Sequence, residues 1–359
     1  MMVSLSWLRQ TQREWKIPDI IPERCVHQHC EIASCTRCVD SCPTSAWRLD
    51  EGGLRIDTTL CDSCGLCVAA CPQQALVQTH YPLLGLINQH KSLLAYCERC
   101  HGVKAGKGVV PCLHIFSLST LAEYYQLGYR HLYVASGECE QCERFGKTAT
   151  LQQTLHSLNQ LLESRQVEPI QLTQLDQTAL KSYHKHLMTV QADQTATSRR
   201  QFFRQAVTLV AETVEQGELT TEMMAPAQSI TWVARLPHNT TAGVTFPYVP
   251  IINAERCNGC DACVQLCPQQ ALKLEQQADT LAYQVQVERC NGCGVCVDGC
   301  DQQALQIEAV KPAPEPLALT TAHCKACGSP FHYPTQQASP NYCRICTQTN
   351  HYRRLYQVY

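Results

Sequence analysis

Apolar runs of two lengths alternate in the middle of the chain. Ser92–Tyr96 and His131–Ala135 are short and almost wholly apolar, which predicts buried strands. Residues 119–128 and 151–163 are longer, with apolar positions at helical spacing, and predict helices. The second helix has one apolar face, formed by Leu151, Leu155, Leu158 and Leu162. The order strand, helix, strand, helix predicts a small parallel α/β domain, which we assign to residues 89–180.

The pattern is weaker between residues 181 and 247, which we interpret as a helical linker. One helix is predicted there, beginning at the capping box Ser198–Gln201. Its inward positions are Phe203, Val207, Val210 and Val214. Farther on, the Pro-rich run 311–316 predicts an extended spacer and a domain boundary.

Cysteine spacing reveals an internal repeat on both sides of this middle region. The chain has 26 cysteines in 359 residues. Cys61–Pro72 and Cys257–Pro268 both read C-x2-C-x2-C-x3-C-P, and both continue Gln-Gln-Ala-Leu. Each has a second cysteine-rich run about twenty residues away, so we predict two tandem modules, residues 1–88 and 248–312.

The spacing C-x2-C-x2-C brings three thiolates to one face of a tight loop, as a cubane [4Fe-4S] cluster requires, and the fourth cysteine ligates the neighbouring cluster. In the C-terminal module this rule predicts two ligand sets, with Asp301 replacing the second proline. One set is Cys257, Cys260, Cys263 and Cys300, and the other is Cys290, Cys293, Cys296 and Cys267. Zinc knuckles are the alternative, but zinc sites rarely use this tight spacing followed by Cys-Pro.

The N-terminal module has the same plan with a stretched first run. One predicted set is Cys61, Cys64, Cys67 and Cys42, and the other is Cys35, Cys38, Cys71 and a first ligand supplied by Cys25 or Cys30. Cys30 needs the smaller insertion. Cys25 is favoured by a similarity to ferredoxins of the periplasmic nitrate reductase assembly type, whose first run is also stretched. Both stay candidates.

With these runs, residues 25–80 and 253–310 resemble the bacterial polyferredoxins. The resemblance implies ferredoxin-like modules that hold four [4Fe-4S] clusters in all and conduct electrons to a larger oxidoreductase.

The middle cysteines resemble a second family, the iron-sulfur delta subunit of methyl-viologen-reducing hydrogenases, which is also found fused to heterodisulfide reductase subunits. The similar motifs are a C-x2-C after the first strand, a Pro-Cys, and a Cys pair after the second strand, here shortened to C-x2-C. The resemblance implies a further cluster, [2Fe-2S] or another type, with candidate ligands Cys97, Cys100, Cys112, Cys139 and Cys142. Zinc binding and simple burial of these thiols are the alternatives.

The last cysteine group has the spacing of a zinc ribbon, which we assign to residues 317–359. Its ligands would be Cys324, Cys327, Cys343 and Cys346. A one-iron rubredoxin-like site is the alternative. Because four thiolates complete either site, His323 and His332 are expected to be solvated.

Charge and composition narrow the function classes. The formal charge of −2 gives no electrostatic case for nucleic-acid binding, and no apolar run is long enough to span a membrane. Cysteines in tight runs, with no apolar leader at the N-terminus, indicate a reducing cytoplasm. No phosphate-binding loop or catalytic constellation is recognisable in the sequence, so we expect a non-catalytic subunit.

The sequence thus predicts an α+β multidomain protein that acts as an iron-sulfur electron relay. The resemblances suggest formate dehydrogenase, hydrogenase or heterodisulfide-reductase-like complexes as partners. The alternative is an assembly factor for a metalloenzyme, which would use the clusters and the ribbon as a docking platform; the extra thiol of the Cys25 and Cys30 pair keeps this alternative open.

Overall fold

The structure is a computed structural model that describes residues 17–50, 52–78, 80, 82–99, 107–188, 232–237, 243–277 and 280–349. The helix predicted from Ser198 and the candidate ligand Cys100 lie outside these residues. Within the described ranges, no helix is both long enough and apolar enough to cross a bilayer.

The N-terminal module consists of two antiparallel strand pairs and three short helices. Strand β1 (Asp19–Ile20) pairs with β4 (Leu76–Val77), and β2 (Trp47–Asp50) pairs with β3 (Gly53–Ile56). The helices are α1 (Val26–His29), α2 (Arg37–Asp40) and α3 (Leu66–Ala70). One small buried cluster of this module contains Trp47, Leu76 and Cys67. So small a core makes cross-linking by a ligated metal group an important source of stability.

A five-stranded sheet forms the middle domain. Its central strand β6 (His90–Cys97) pairs antiparallel with β5 (Leu83–Ile87) and parallel with β8 (His131–Ala135). Strand β9 (Gln171–Gln174) continues the sheet parallel to β8, and the short β7 (Val109–Val110) pairs with the end of β6. The strand predicted at residues 131–135 is therefore confirmed, and the one predicted at 92–96 is longer by three residues.

Helices cover both faces of this sheet because alternate residues of its strands point to opposite sides. Helices α4 (Leu118–Gln126) and α5 (Leu151–Glu163) pack on the face that carries Leu93 and Leu132. Helix α6, residues 177–188, packs on the face that carries Leu94 and Tyr96. The predicted apolar face of α5 is confirmed, and a capping box at Thr150 fixes where that helix begins.

The C-terminal module repeats the plan of the N-terminal one. Strand β11 (Val249–Ile252) pairs with β14 (Leu305–Glu308), and β12 (Leu272–Gln277) forms a hairpin with β13 (Thr280–Val285). Its helices are α7 (Ala262–Leu266) and α8 (Val295–Asp298). A further short pair, β10 (Thr245–Phe246) with β15 (Lys311–Pro312), flanks the module. In both modules the first strand pairs with the last, which brings the two cysteine runs together.

The tail after the Pro-rich spacer joins the sheet of the C-terminal module. Strand β16 (Leu317–His323) pairs with β13, and β17 (Pro330–Pro334) pairs with β16, giving the order β12-β13-β16-β17. Helix α9 (Arg344–Thr349) follows. The predicted spacer begins as strand β15, but it does not separate the tail from the module in the fold.

Two further limits differ from the sequence-based ones. Strand β5 belongs to the middle sheet, so this domain begins before residue 89. Helix α6 buries Leu180 and Leu187 against the same sheet, so the domain extends beyond residue 180. The earlier start is not visible in the sequence, because β5 follows the last cysteine of the N-terminal module with no change in composition.

Candidate iron-sulfur sites

The two modules bring their cysteines together in four groups, each drawn from both runs of one module. Site 1 is Cys42, Cys61, Cys64 and Cys67; site 2 is Cys25, Cys35, Cys38 and Cys71. Site 3 is Cys267, Cys290, Cys293 and Cys296; site 4 is Cys257, Cys260, Cys263 and Cys300. These groups are the predicted exchange of fourth ligands. All four thiols of site 2 line one cavity, as do all four of site 4.

The two candidates for the first ligand of site 2 lie in different surroundings. Cys25 follows the 3-10 turn Pro22–Arg24 and lines the cavity of site 2. Cys30 is buried among Val26, Ala33 and Val295. Geometry therefore supports Cys25 as a ligand and leaves Cys30 as an apolar core residue.

A recurring turn follows the last cysteine of every run. The backbone N–H of Ala46, Ala75, Ala271 or Ala304 donates to the sulfur four residues earlier, at distances of 3.2–3.3 Å. The residue before each alanine has a positive φ, between 49° and 54°. All four alanines are buried, so a larger side chain would not fit. Such hydrogen bonds fix the orientation of the thiolate and tune its donor strength.

Left-handed residues also shape the loops that carry the first three cysteines of a complete run. Ser63 and Gly65 flank Cys64 with φ of 59° and 75°, and Gly292 and Gly294 flank Cys293 with 75° and 90°. The stretched run departs from this pattern, since Thr36, between Cys35 and Cys38, has a φ of −118°. That run cannot form the tight three-cysteine loop, which explains why a ligand is taken from upstream.

Burial and crowding of the thiols make the sites suited to a cationic occupant. Burial, followed by the negative charge of neighbouring thiolates, raises the pKa of Cys38 and of Cys263 to about 12. Burial raises the pKa of Cys290 to about 12 as well. A thiol with so high a pKa is protonated at neutral pH, so its thiolate form needs a nearby positive charge. The iron of a [4Fe-4S] cluster provides that charge. The donor sets, their burial and their N–H contacts therefore fit that group.

The middle domain forms a fifth cysteine cluster at the ends of β6 and β8, here called the middle pocket. Cys97, Cys112, Cys139 and Cys142 line one cavity of about 200 Å³. Burial, then the charge of Cys97, raises the pKa of Cys112 to about 11. Arg99 Nη1 donates to the sulfur of Cys142 at 3.5 Å, so a cation already faces the cluster of thiols.

Arg144 joins the middle pocket to site 1. Its guanidinium contacts Asp62 and Glu98, each at 2.9 Å, and donates to the carbonyl of Pro111 at 2.7 Å. The arginine side chain is 4% exposed. Asp62 also accepts the N–H of Cys64 at 3.1 Å, within the loop of site 1. One buried cation therefore bridges the two cysteine groups, a role the sequence did not indicate.

Among the residues that the structure describes, the tail cysteines are the set that converges within the distance of a single metal ion. The sulfurs of Cys324, Cys327, Cys343 and Cys346 all lie within 4.8 Å of one another. Burial alone would raise the pKa of Cys324, but backbone N–H groups of the two knuckles lower it to about 6. The set suits a tetrahedral four-thiolate metal site.

One expectation about the tail is wrong. The side chain of His332 is only 15% exposed, and its Nε2 lies 2.9 Å from Asp261 and 3.2 Å from the hydroxyl of Tyr283. Tyr283 itself donates to Asp261 at 2.7 Å. Because Asp261 lies between two cysteines of site 4, these contacts attach strand β17 to that loop. Gly259 completes the contact, since a side chain there would collide with the carbonyl of His332.

Comparison with known proteins agrees with the two-module fold. Two families, both described as 4Fe-4S dicluster domains, match this chain, one at residues 29–76 and the other at residues 249–301. The first match begins after Cys25 and includes Cys30. It therefore leaves out the cysteine that lines the cavity of site 2 in the structure.

Relatives cover only parts of the chain. The ferredoxin-like protein YdhX of Escherichia coli is 33% identical over 85 residues, which are 23% of this chain and 33% of that protein. The thiosulfate reductase electron transfer subunit PhsB of Salmonella typhi is 50% identical over 46 residues, 12% of this chain and 22% of that protein. The chain thus spans about a third of the length of YdhX and about a fifth of the length of PhsB.

A third relative is matched over most of its own length. The ferredoxin-like protein YgcO of Escherichia coli is 35% identical over 75 residues, which are 20% of this chain but 83% of that protein. Together with two dicluster matches and four cysteine sites in two repeated folds, this assigns the family. The chain belongs to the ferredoxin-like proteins with 4Fe-4S dicluster domains, and it carries two such domains.

Proposed function

We propose that this chain is a polyferredoxin that serves as the electron-transfer partner of a multi-subunit oxidoreductase. The observation that carries the proposal is the assembly of four cysteine sites, each completed by the other run of its module. When bound, a [4Fe-4S] cluster supplies reversible one-electron transfer.

The chain's own residues would set the conditions for that transfer. The sixteen cysteines of sites 1–4 hold the clusters. The N–H groups of Ala46, Ala75, Ala271 and Ala304 donate to the sulfur of the last cysteine of each run. In the ferredoxin-type fold, hydrogen bonds to sulfur and solvent exposure are the levers that adjust the reduction potential.

The middle pocket would hold a further cluster with Cys97, Cys112, Cys139 and Cys142 as ligands. Support comes from four thiols around one cavity, faced by Arg99 and Arg144. A thiolate-ligated [2Fe-2S] cluster is anionic, and two arginines beside it would stabilise that charge. We propose this pocket as the point at which an enzyme of the hydrogenase, formate dehydrogenase or heterodisulfide reductase class contacts the chain, on the strength of the family resemblance of its motifs.

The tail would hold zinc. Four converging thiolates form a closed site, and zinc in such a site has a structural role because it takes no electron. The expected location of the whole chain is the cytoplasm, where thiols stay reduced.

An assembly-factor role has weaker support. The extra thiol that favoured it is Cys30, whose side chain is buried in an apolar cluster and is not accessible for the transfer of iron or sulfide.

One measurement tests the proposal: iron, sulfide and zinc in anaerobically purified full-length protein. Four sites with four irons each give about sixteen irons with equal sulfide, a binuclear cluster in the middle pocket adds about two, and the tail adds one zinc. Iron below about twelve with several zinc ions would contradict the polyferredoxin assignment.

A further inference from the structure

The two modules are docked to each other through the loops around sites 2 and 3. The backbone N–H of Ser34 and its hydroxyl donate to the carboxylate of Asp298 at 2.8 and 2.7 Å. Arg37 donates to the carbonyl of Gly292 at 2.9 Å, within the loop between Cys290 and Cys293. These contacts tie the first run of one module to the second run of the other.

A second set of polar contacts lies beside the Cys-Pro turns. The side-chain oxygen of Gln73 accepts from Gln269 at 3.0 Å and from Asn291 at 2.8 Å. Gln73 and Gln269 are the same position in the repeated Cys-Pro-Gln-Gln motif. The turn after Cys71 of site 2 therefore meets the turn after Cys267 of site 3.

Between these contacts lies a buried apolar patch. Val26, Cys30 and Ala33 of the N-terminal module pack on Val295 of the C-terminal one. Cys35 of site 2 and Cys293 of site 3 border the same patch. The negative charge of Cys35 contributes to raising the pKa of Cys293, which places the two sulfurs near each other.

The remaining neighbours follow from contacts inside the modules and at Arg144. Helices α2 and α3 pack together between sites 1 and 2. Cys263 of site 4 lies close enough to Cys296 of site 3 to raise its pKa. At the far side of site 1, Arg144 and the buried Cys64 join the middle pocket.

We propose that the docking of the two modules through Ser34, Arg37, Gln73 and Asp298 holds sites 2 and 3 as direct neighbours and so fixes one linear order of sites: middle pocket, 1, 2, 3, 4. This deepens the proposed function and rests on it, since it assigns the order of sites within the same relay. The two ends are the middle pocket and site 4. The junction between sites 2 and 3 joins the two modules directly; the C-terminal module also reaches the middle domain through β10, where Arg165 donates to the carbonyl of Thr245 at 2.8 Å, but no cysteine of a site takes part in that contact.

The order is tested by the magnetic interaction between reduced clusters, which falls steeply with distance and does not depend on catalysis. Two full-length proteins are compared by low-temperature EPR after reduction with dithionite. Both proteins carry Cys112→Ser, which removes the cluster proposed for the middle pocket beside site 1. Cys64→Ser with Cys260→Ser then disrupts sites 1 and 4 in the first protein, whereas Cys38→Ser with Cys293→Ser disrupts sites 2 and 3 in the second. We expect an interaction-split spectrum from the first protein and two independent signals from the second. Independent signals from the first protein would overturn the order.

A second comparison keeps every cysteine and does not depend on those variants being stable. Asp298→Ala with Gln73→Ala removes the docking contacts, and Glu275→Ala, in hairpin strand β12 away from the interface, is the control. We expect the iron content of both to be unchanged and the splitting to be reduced only in the interface variant, with partial recovery in Asp298→Asn. Unchanged splitting in the interface variant would overturn the proposal, while a low iron content in the unmodified protein would instead refute the proposed function.

Discussion

Cys25 and Cys30 flank the ends of helix α1 and face different surroundings. Cys25 points to three other thiols, and Cys30 is enclosed by aliphatic side chains from both modules. Spacing alone could not separate them, because the stretched run lacks the left-handed residues that make the other loops uniform. The decisive information is tertiary: the partner of Cys30 is Val295, far along the chain.

Substitution of these two cysteines should therefore have opposite effects. Cys30→Ala removes only a buried sulfur, so the iron content should stay at its full value, with a stability loss of about 1 kcal/mol. Cys25→Ser should cost site 2, about four irons, together with its EPR signal. Iron and sulfide analysis checks both; loss of iron in Cys30→Ala alone would reverse the assignment.

At the scale of elements, the sequence predicted only some features of the turn that follows the last cysteine of each run. The sequence Gln-Gln-Ala-Leu follows three of the four runs, those that end at Cys71, Cys267 and Cys300, and the structure extends the likeness to Ser45, where the sequence is Thr-Ser-Ala-Trp. The sequence did not reveal that the residue before alanine is left-handed, since glutamine and serine are not the usual residues for that conformation. The N–H to sulfur contact requires it.

This turn predicts a penalty for β-branched residues. Gln303 is exposed and its side chain only accepts one surface hydrogen bond, from Arg256 at 3.1 Å, so Gln303→Val acts mainly on the backbone and should lower stability by about 1–2 kcal/mol through its positive φ. Gln306→Val, at an exposed strand position, is the matched control and should be nearly neutral. Anaerobic thermal unfolding, followed by loss of cluster absorbance, measures the two; equal midpoints would show that the turn carries no strain.

At the scale of the whole molecule, most of the architecture was predictable and most of the contacts between units were not. Periodicity identified the middle sheet and its two helices, and spacing identified the modules. The docking of the modules, the buried Arg144 and the attachment of the tail depend on residues that look ordinary in sequence. Each of them is polar, isolated and far from its partner along the chain.

Arg144 illustrates how much one such contact contributes. Arg144→Ala leaves Asp62 and Glu98 without their shared cation, so we expect a loss of about 3 kcal/mol and separation of the middle domain from site 1. Arg55→Ala removes an exposed pair with Asp50 on the β2–β3 hairpin and should cost less than about 1 kcal/mol. Denaturant midpoints of the two variants give the comparison; a similar small loss in both would contradict the bridging role.

Removal of the tail should affect one site and spare the others. A chain ending at Pro316 lacks β16, which leaves the edge of β13 unpaired, and lacks His332, which holds Asp261 in the loop of site 4. We expect sites 1–3 to keep their iron and site 4 to lose it faster in air. His323→Ala, outside these contacts, serves as the control for a general effect of tail changes. Equal rates of iron loss at all sites would refute the attachment.

The docking of the modules also has a consequence for how the protein is made. Ser34 and Asp298 are 264 positions apart, so the apolar patch around Val26 stays uncovered until almost the whole chain has been translated. During that interval the N-terminal module exposes an apolar surface next to thiols that oxygen can oxidise. Slow translation, oxygen or a shortage of iron would each increase the risk of aggregation or thiol oxidation during this interval. The late covering of this patch therefore favours biosynthesis in the absence of oxygen.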